Sequence, residues 1–175
     1  PATRMTYKSS VLAAIKLNDH NLASRRFFEW VGEGKCGKAG LSIFAEIIRS
    51  AGRHRAYKQA WDLWLRLTSL YSIGELDCRV VRTAIGAFAG DVAAVKSNQP
   101  YWKRPIWIFQ KVNEHPDFRL DGSVFRAVIN CMHRYGKRLR LMVYYVEMLK
   151  LGFRPDTRTI TIVIKAYGAG RRWKE

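Results

Sequence analysis

Residues 123–156 form one unit of a repeat, and this repetition limits the folds open to the chain more than any other feature. The unit opens with Ser-Val-Phe-Arg-Ala-Val-Ile-Asn-Cys-Met-His-Arg-Tyr-Gly and closes with Leu-Gly-Phe-Arg-Pro-Asp, and a similar pattern begins again at Arg158. A period of about 35 residues with two amphipathic helices per unit is typical of helical-repeat proteins, whose units stack side by side. Such proteins present extended binding surfaces, so the sequence favours a binding function over a catalytic pocket.

Apolar residues recur every three or four positions in two parts of this unit, which predicts two amphipathic helices. The two stripes consist of Val124, Phe125, Val128, Ile129 and Met132, and of Leu141, Tyr145, Met148 and Leu149. Gly136 is placed to end the first helix, and Gly152 follows the second. Asp156 then stands at the N-cap position of the next helix.

The same layout of two helices and a turn recurs elsewhere in the chain with a less regular sequence. We therefore predict a single helical-repeat domain over residues 1–175. It contains about four and a half repeats, with boundaries near 5–40, 41–77, 78–121, 122–156 and 157–175, the last unit being partial. The third unit carries an insertion near 91–104. In the second unit we place the turn between helices at Gly52. We expect four residues of the second helix to face inward, namely Tyr57, Trp61, Trp64 and Leu65. A solenoid needs a cap or a further repeat at its end, which predicts that this sequence is a fragment of a longer chain.

These units resemble the pentatricopeptide repeat proteins, which are organellar RNA-binding solenoids of helical hairpins. The residues at the family's spacing in the clearest unit are Glu147, Met148, Gly152, Pro155 and Asp156, and residues 166–175 give a second match. The tetratricopeptide pattern of Trp, Leu-Gly and Tyr is missing, which argues against that related class. The resemblance implies an all-α fold, a right-handed α-solenoid of helix-turn-helix repeats.

The net charge agrees with an RNA partner. The chain has 31 Lys plus Arg against 14 Asp plus Glu, a formal charge of +17, and such an excess is typical of proteins that bind polyanions. Basic residues follow the predicted inter-helix glycines, and the RNA phosphate candidates among them are Arg53, Arg55, Lys137, Arg138, Arg140, Arg171, Arg172 and Lys174. In stacked repeats these turns share one edge, which would track a phosphate backbone. The alternative is that they complement helix C-termini and aid solubility.

The resemblance also implies one base-facing side chain early in each first helix and one at the end of each unit. On this sequence the early positions are Ser9, Ala45, Arg82, Arg126 and Thr161, and the end positions are Asp77, Asp121 and Asp156. The family usually has Asn, Thr or Ser at the early position, whereas this chain has arginine twice and alanine once. We expect Arg82 and Arg126 to pair with a neighbouring aspartate or to reach phosphate instead of reading a base.

This departure favours a fixed component of a ribonucleoprotein over a free sequence-specific factor. The resemblance then implies a structural, non-enzymatic component of the mitochondrial ribosome, located in the matrix, which contacts rRNA and neighbouring proteins. One alternative is a factor for processing, stability or editing of organellar mRNA or guide RNA, with the plastid as another location. A second alternative is a protein-protein scaffold. No apolar run reaches membrane-spanning length, so no membrane partner is expected.

Residues 32–38 read Gly-Glu-Gly-Lys-Cys-Gly-Lys and match both a Gly-x-Gly-x-x-Gly pattern and most of a phosphate-binding loop. A nucleotide-binding enzyme would need a strand at 27–31 before this loop and a helix after it. Ala39, however, stands where Ser or Thr would coordinate magnesium. We therefore interpret the stretch as a turn between the first two repeats and keep the enzyme as the least favoured alternative.

The remaining candidate residues point to no cofactor and no metal. The cysteines are Cys36, Cys78 and Cys131, which are too far apart for a Cys-x-x-Cys pair and are predicted to be reduced thiols. The histidines form no paired motif. Tyr101 and Trp102 lie in the predicted insertion, where they would stack on a base, dock a neighbouring protein or pack internally.

Overall fold

The computed structural model describes residues 4–32, 37–89 and 101–168, and within these ranges it contains helices and no strand. Nine α-helices lie in the described ranges: α1 (Arg4–Lys16), α2 (His20–Gly32), α3 (Gly37–Arg53), α4 (Tyr57–Leu70), α5 (Cys78–Ala87), α6 (Lys103–Asn113), α7 (Gly122–Arg134), α8 (Arg138–Lys150) and α9 (Thr157–Gly168). A short 3-10 helix (Ile73–Glu75) follows α4. The predicted all-α fold class is confirmed for the described residues.

The helices are arranged in two layers. Each odd-numbered helix contacts the next odd-numbered one, from α1 through α9, and forms the first layer. Each even-numbered helix packs against the odd-numbered helix that precedes it and the one that follows. One face of the first layer is therefore covered by the even-numbered helices, and the other face carries the polar residues described below.

The apolar stripe predicted for α7 is confirmed. Val124, Phe125, Val128, Ile129 and Met132 are all fully buried, because α7 is packed against α5, α6, α8 and α9. Residues at this spacing share one face of a helix, and burying that face supplies most of its stability.

Aromatic side chains join the layers around α6. The Phe109 ring lies 5.0 Å from Phe125 of α7 and 5.1 Å from Tyr144 of α8, both edge to face. In the preceding pair of helices, Trp61 of α4 lies 6.2 Å from Phe88. These contacts hold the second layer against the first.

Two apolar predictions are wrong. Leu65 is 41 % exposed and Leu149 is 45 % exposed, because each lies at the edge of its helix's stripe. Tyr144, which the predicted pattern of α8 left out, is buried. The predicted inward position of Trp64 is confirmed, and Trp61 is half-buried.

Aspartates begin three of the first-layer helices. Asp77 accepts a hydrogen bond from Val80 N at 2.8 Å and Asp156 accepts one from Thr159 N at 2.8 Å. Asp121 Oδ1 accepts from two backbone amides of α7, at 2.8 and 3.1 Å. The predicted N-cap role of Asp156 is confirmed, and a cap of this kind is worth about 1 kcal/mol.

The turn between α3 and α4 is not at Gly52, and that prediction is wrong. Gly52 lies within α3, where a Cβ atom would come within 2.6 Å of Ala87 Cα on α5. The glycine therefore permits close packing of two helices, and the positive φ of the turn is at Arg55 (φ 59°). Gly136 after α7 does have the predicted turn conformation, with φ 65°.

The predicted insertion is described only at its end. Residues 91–100 lie outside the described ranges, and α6 begins at Lys103. The Tyr101 ring packs 5.2 Å from Tyr57, and Arg104 donates a hydrogen bond to Tyr57 O at 2.8 Å. Internal packing is thus observed for Tyr101.

Candidate nucleic-acid interface

Four arginines from four consecutive first-layer helices line one groove of about 350 Å³, which we call the arginine groove. It lies on the face of the first layer opposite the even-numbered helices. Its lining residues are Arg49, Arg82, Thr83, Ser123, Arg126, Ala127, Asn130, Asp156, Arg158, Thr159 and Ile162. Asp156 is the one acidic residue in this set, so the lining is positively charged.

The helical register places the arginines on this face. Arg82 and Arg126 each stand five residues after the capping aspartate of their helix. Ser123, Ala127 and Asn130 also line the groove, and their spacing of three and four residues from Arg126 or from one another puts them on the same face of α7 as Arg126. Matching registers on adjacent helices bring the two guanidinium groups into a common groove.

Two of the four arginines are paired with carboxylates. Arg126 Nε lies 3.5 Å from Asp156 Oδ2, between side chains that are 37 % and 52 % exposed. Arg49 Nη1 lies 2.6 Å from Oε1 of Glu46, three residues earlier on α3. The expected pairing of Arg126 with its neighbouring aspartate is therefore observed.

Arg82 and Arg158 make no ion pair in the part of the chain that the structure describes. Arg158 Nη2 donates to Asn130 Oδ1 at 3.3 Å, across from α9 to α7. Their charges are thus available to an anion, and a guanidinium fork suits the geometry of a phosphate.

Hydrogen bonds keep the groove aspartate ionised. The amide and hydroxyl of Thr159, followed by the charges of Arg126 and Arg158, lower the pKa of Asp156. An ionised Asp156 holds the Arg126 side chain in the groove and offsets one positive charge there. The groove is basic but partly self-neutralised.

The base-facing candidates are only partly brought together. Arg82, Arg126 and Asp156 line the groove, whereas Asp77 and Asp121 cap helices and do not line it. Ala45 is 2 % exposed, because α3 is surrounded by α1, α2, α4 and α5. The prediction for Ala45 is therefore wrong.

The two remaining early positions also lie outside the groove lining. Ser9 is an exposed residue of α1, at the other end of the first layer. Thr161 is exposed on α9, and its hydroxyl donates to Thr157 O at 2.8 Å. Arg49, one turn after Ala45, provides the contribution of α3 and was missed. The sequence does indicate Arg49, because it follows the predicted position Ala45 by four residues, which is about one helical turn.

The five phosphate candidates that the structure describes do not line the arginine groove. Arg53 ends α3, Arg55 occupies the following turn, and both are exposed. Lys137 precedes α8, and Arg138 and Arg140 lie in its first turn. The last three candidates, Arg171, Arg172 and Lys174, lie outside the described ranges.

Cations surround one indole near these turns. Lys137 Nζ lies 4.8 Å from the centroid of the Trp102 ring and Arg140 Cζ lies 5.2 Å from it. Both distances are in the range of cation-π contacts. Trp102 is half-buried.

The described residues offer neither a reactive thiol nor a metal site. Cys78 and Cys131 are free, as predicted, whereas Cys36 is not among the described side chains. Burial raises the pKa of both thiols, which disfavours the nucleophilic thiolate. No cluster of three His, Cys, Asp or Glu side chains suited to a metal occurs in the described ranges.

Residues 27–31 do not form the strand that a nucleotide-binding loop at 32–38 would require. These residues belong to α2, and the loop residues 33–36 lie outside the described ranges.

Among the described helices none combines the length and the apolar character needed to cross a bilayer.

In comparisons with known proteins, the sequence matches no family model and no curated protein with significant similarity. The pentatricopeptide resemblance therefore rests on the residues and spacings given above.

Proposed function

We propose that this protein is a non-enzymatic RNA-binding protein whose arginine groove holds the phosphate backbone of RNA. The observation that carries the proposal is the convergence of Arg49, Arg82, Arg126 and Arg158 from α3, α5, α7 and α9 in one groove. Phosphate contacts from arginine supply affinity without sequence information. A lining that carries four arginines and one aspartate also suits a polyanion better than an apolar peptide.

The proposed architecture is a right-handed α-solenoid of pentatricopeptide-type repeats. The succession of contacts among the odd-numbered helices supports it, as does the equal spacing from Asp77 to Arg82 and from Asp121 to Arg126. In a solenoid, equivalent positions of successive repeats form a continuous surface. That surface would be the arginine groove.

The proposed mode of binding is contact with the RNA backbone. Asp156 engages the side chain at the early position of α7, and that side chain is an arginine where base-reading repeats have a smaller polar residue. Asp156 contacts Arg126 through Nε, and the terminal N–H groups of the guanidinium remain to bind phosphate oxygens, a contact that carries no sequence information. This favours a role in holding shaped RNA, and we propose rRNA of the mitochondrial ribosome, in the matrix, as the partner.

Crosslinking in organelle extract tests RNA binding. Ultraviolet light should join RNA to tryptic peptides from α5 and α7, which carry Arg82 and Arg126. Recovery of protein crosslinks alone would contradict RNA binding and support a scaffold.

Sedimentation tests the narrower ribosomal proposal. The protein should travel with one ribosomal subunit in a high-salt gradient. If it sediments free, or with a single transcript, the ribosomal role is wrong while backbone binding by the groove stands.

A further inference from the structure

The indole of Trp102 lies among three cations, and we call these four residues the Trp102 cluster. Besides Lys137 and Arg140, the Lys103 Nζ atom lies 5.9 Å from the ring centroid. The tryptophan comes just before α6, while Lys137 and Arg140 belong to the start of α8. The cluster therefore spans two helices of the second layer, on a different surface from the arginine groove.

The positive charges of the cluster are not balanced locally. Lys103, Lys137 and Arg140 make no ion pair in the described ranges, in contrast to Arg26, which pairs with Glu29 at 3.2 Å. The ring quadrupole attracts each cation, but the cations repel one another. An anion bound between them would remove that repulsion.

We infer that the Trp102 cluster is a second binding site for single-stranded RNA, in which the indole stacks on a base and Lys137 and Arg140 each hold one of the two adjoining phosphates. This inference rests on the proposed RNA-binding function and extends it. Aromatic platforms combined with basic side chains are the usual means of binding single strands without sequence preference. A lipid headgroup would use the same cations but would not need a planar aromatic surface.

The position of the cluster fits a strand that leaves the arginine groove. Arg126 lies in the groove and Arg134 ends the same helix, about 12 Å further along its axis. Lys137 lies just beyond that end, in the turn that leads to α8. RNA passing the C-terminal end of α7 would meet the cluster next.

A purely structural role is the competing explanation, since the two cations also tether α8 to Trp102. The salt dependence of RNA binding separates the two roles, because only a phosphate contact releases counterions. Thermal unfolding of each variant reports the structural contribution independently.

A matched control lies on α6, the helix that begins directly after Trp102. Lys111 Nζ is 5.8 Å from the ring of Trp107, and that tryptophan is 37 % exposed. Lys111→Gln therefore removes a charge beside an indole of α6 that contacts no other cation of the described residues. Its RNA affinity and salt slope should equal those of the parent.

The experiment measures the affinity of a labelled single-stranded RNA by anisotropy at several salt concentrations. Trp102→Leu should weaken binding about 5- to 150-fold, the range for one stacked base. Lys137→Gln/Arg140→Gln should lower the slope of log affinity against log salt by about 1.4, the value for two phosphates of a single strand. If Trp102→Leu fails to fold, the double variant decides.

If Lys137→Gln/Arg140→Gln has the same RNA affinity and salt slope as the parent, the Trp102 cluster is not an RNA site. Weaker RNA binding by Arg82→Gln would still support RNA binding by the arginine groove. Absence of RNA binding by the parent would instead overturn the proposed function and the cluster together. Loss of binding to phosphatidylserine vesicles with unchanged RNA affinity would also overturn the cluster, in favour of a lipid surface.

Discussion

Arg126 Nε lies 3.5 Å from Asp156 Oδ2 and so joins the middle of α7 to the N-cap of α9. The same carboxylate accepts a hydrogen bond from Thr159 N. One aspartate thus has two functions: it starts a helix, and it holds an arginine in the groove. The two functions are separable by substitution.

Asp156→Asn should keep the cap and lose the ion pair, because asparagine caps helices as well as aspartate does. The variant should unfold at nearly the parent's temperature. RNA affinity should rise by up to about fivefold, since one negative charge leaves an exposed groove. Asp156→Ala should gain similar affinity but lose about 1 kcal/mol of stability. Weaker RNA binding by Asp156→Asn in a titration would contradict the backbone mode of binding.

Acid should destabilise the protein in part through Asp121. Burial raises its pKa, but hydrogen bonds from Ser123 and Val124 outweigh burial and lower it. Because the pKa of Asp121 in the folded protein is below the unfolded value of about 3.9, the stability that its ionised form contributes is fully present above that pH. It is lost as the pH falls from there through the folded pKa.

Asp121→Asn removes this titration while keeping an N-cap side chain. Urea unfolding at neutral pH and near pH 3 should show a smaller loss of stability in the variant than in the parent. Equal losses in both proteins would mean that Asp121 is not preferentially ionised in the folded state.

Gly52→Ala should destabilise the contact between α3 and α5. The added methyl would lie 2.6 Å from Ala87 Cα and 2.7 Å from Ala87 O, so the helices must separate, at a cost of about 1–3 kcal/mol or more. Gly86→Ala is the control, because no atom lies within 4 Å of the added Cβ. It should raise stability by about 0.5–1 kcal/mol. Chemical denaturation of both variants checks the opposite signs.

Phe109→Ala should lower the free energy of unfolding by about 3–5 kcal/mol. The ring is 2 % exposed and touches both Phe125 and Tyr144, so its removal leaves a cavity between α6, α7 and α8. The neighbouring Gln110 is exposed, and Gln110→Ala should change stability by less than about 0.5 kcal/mol. A small effect at Phe109 would show that α6 is not packed as described.

The features that the sequence predicted correctly are local. The stripe of α7 follows from three- and four-residue spacing, and the cap at Asp156 depends on an amide three residues away. Both are properties of one helix and its ends. Spacing alone does not determine whether a residue at the edge of an apolar stripe is buried. For this reason Leu65 and Leu149 were wrongly predicted to face the core.

The features that were missed depend on how helices are stacked. Gly52 has two possible uses, a turn or a close approach, and only the position of Ala87 distinguishes them. Ala45 was assigned by repeat register, yet α3 is enclosed by its neighbours and presents Arg49 instead. Packing between units determines which residue of a helix reaches the groove.

The salt dependence of RNA binding by Arg82→Gln/Arg158→Gln tests the central claim most directly. Both arginines line the groove, and neither lies within ion-pair distance of a carboxylate of the described residues. Lys58→Gln/Lys111→Gln is the control with equal charge, since both lysines are exposed on second-layer helices. The groove variant should bind single-stranded RNA more weakly and lower the salt slope by about 1.4, while the control stays close to the parent. Equal affinity and slope for the two variants would contradict RNA binding by the arginine groove.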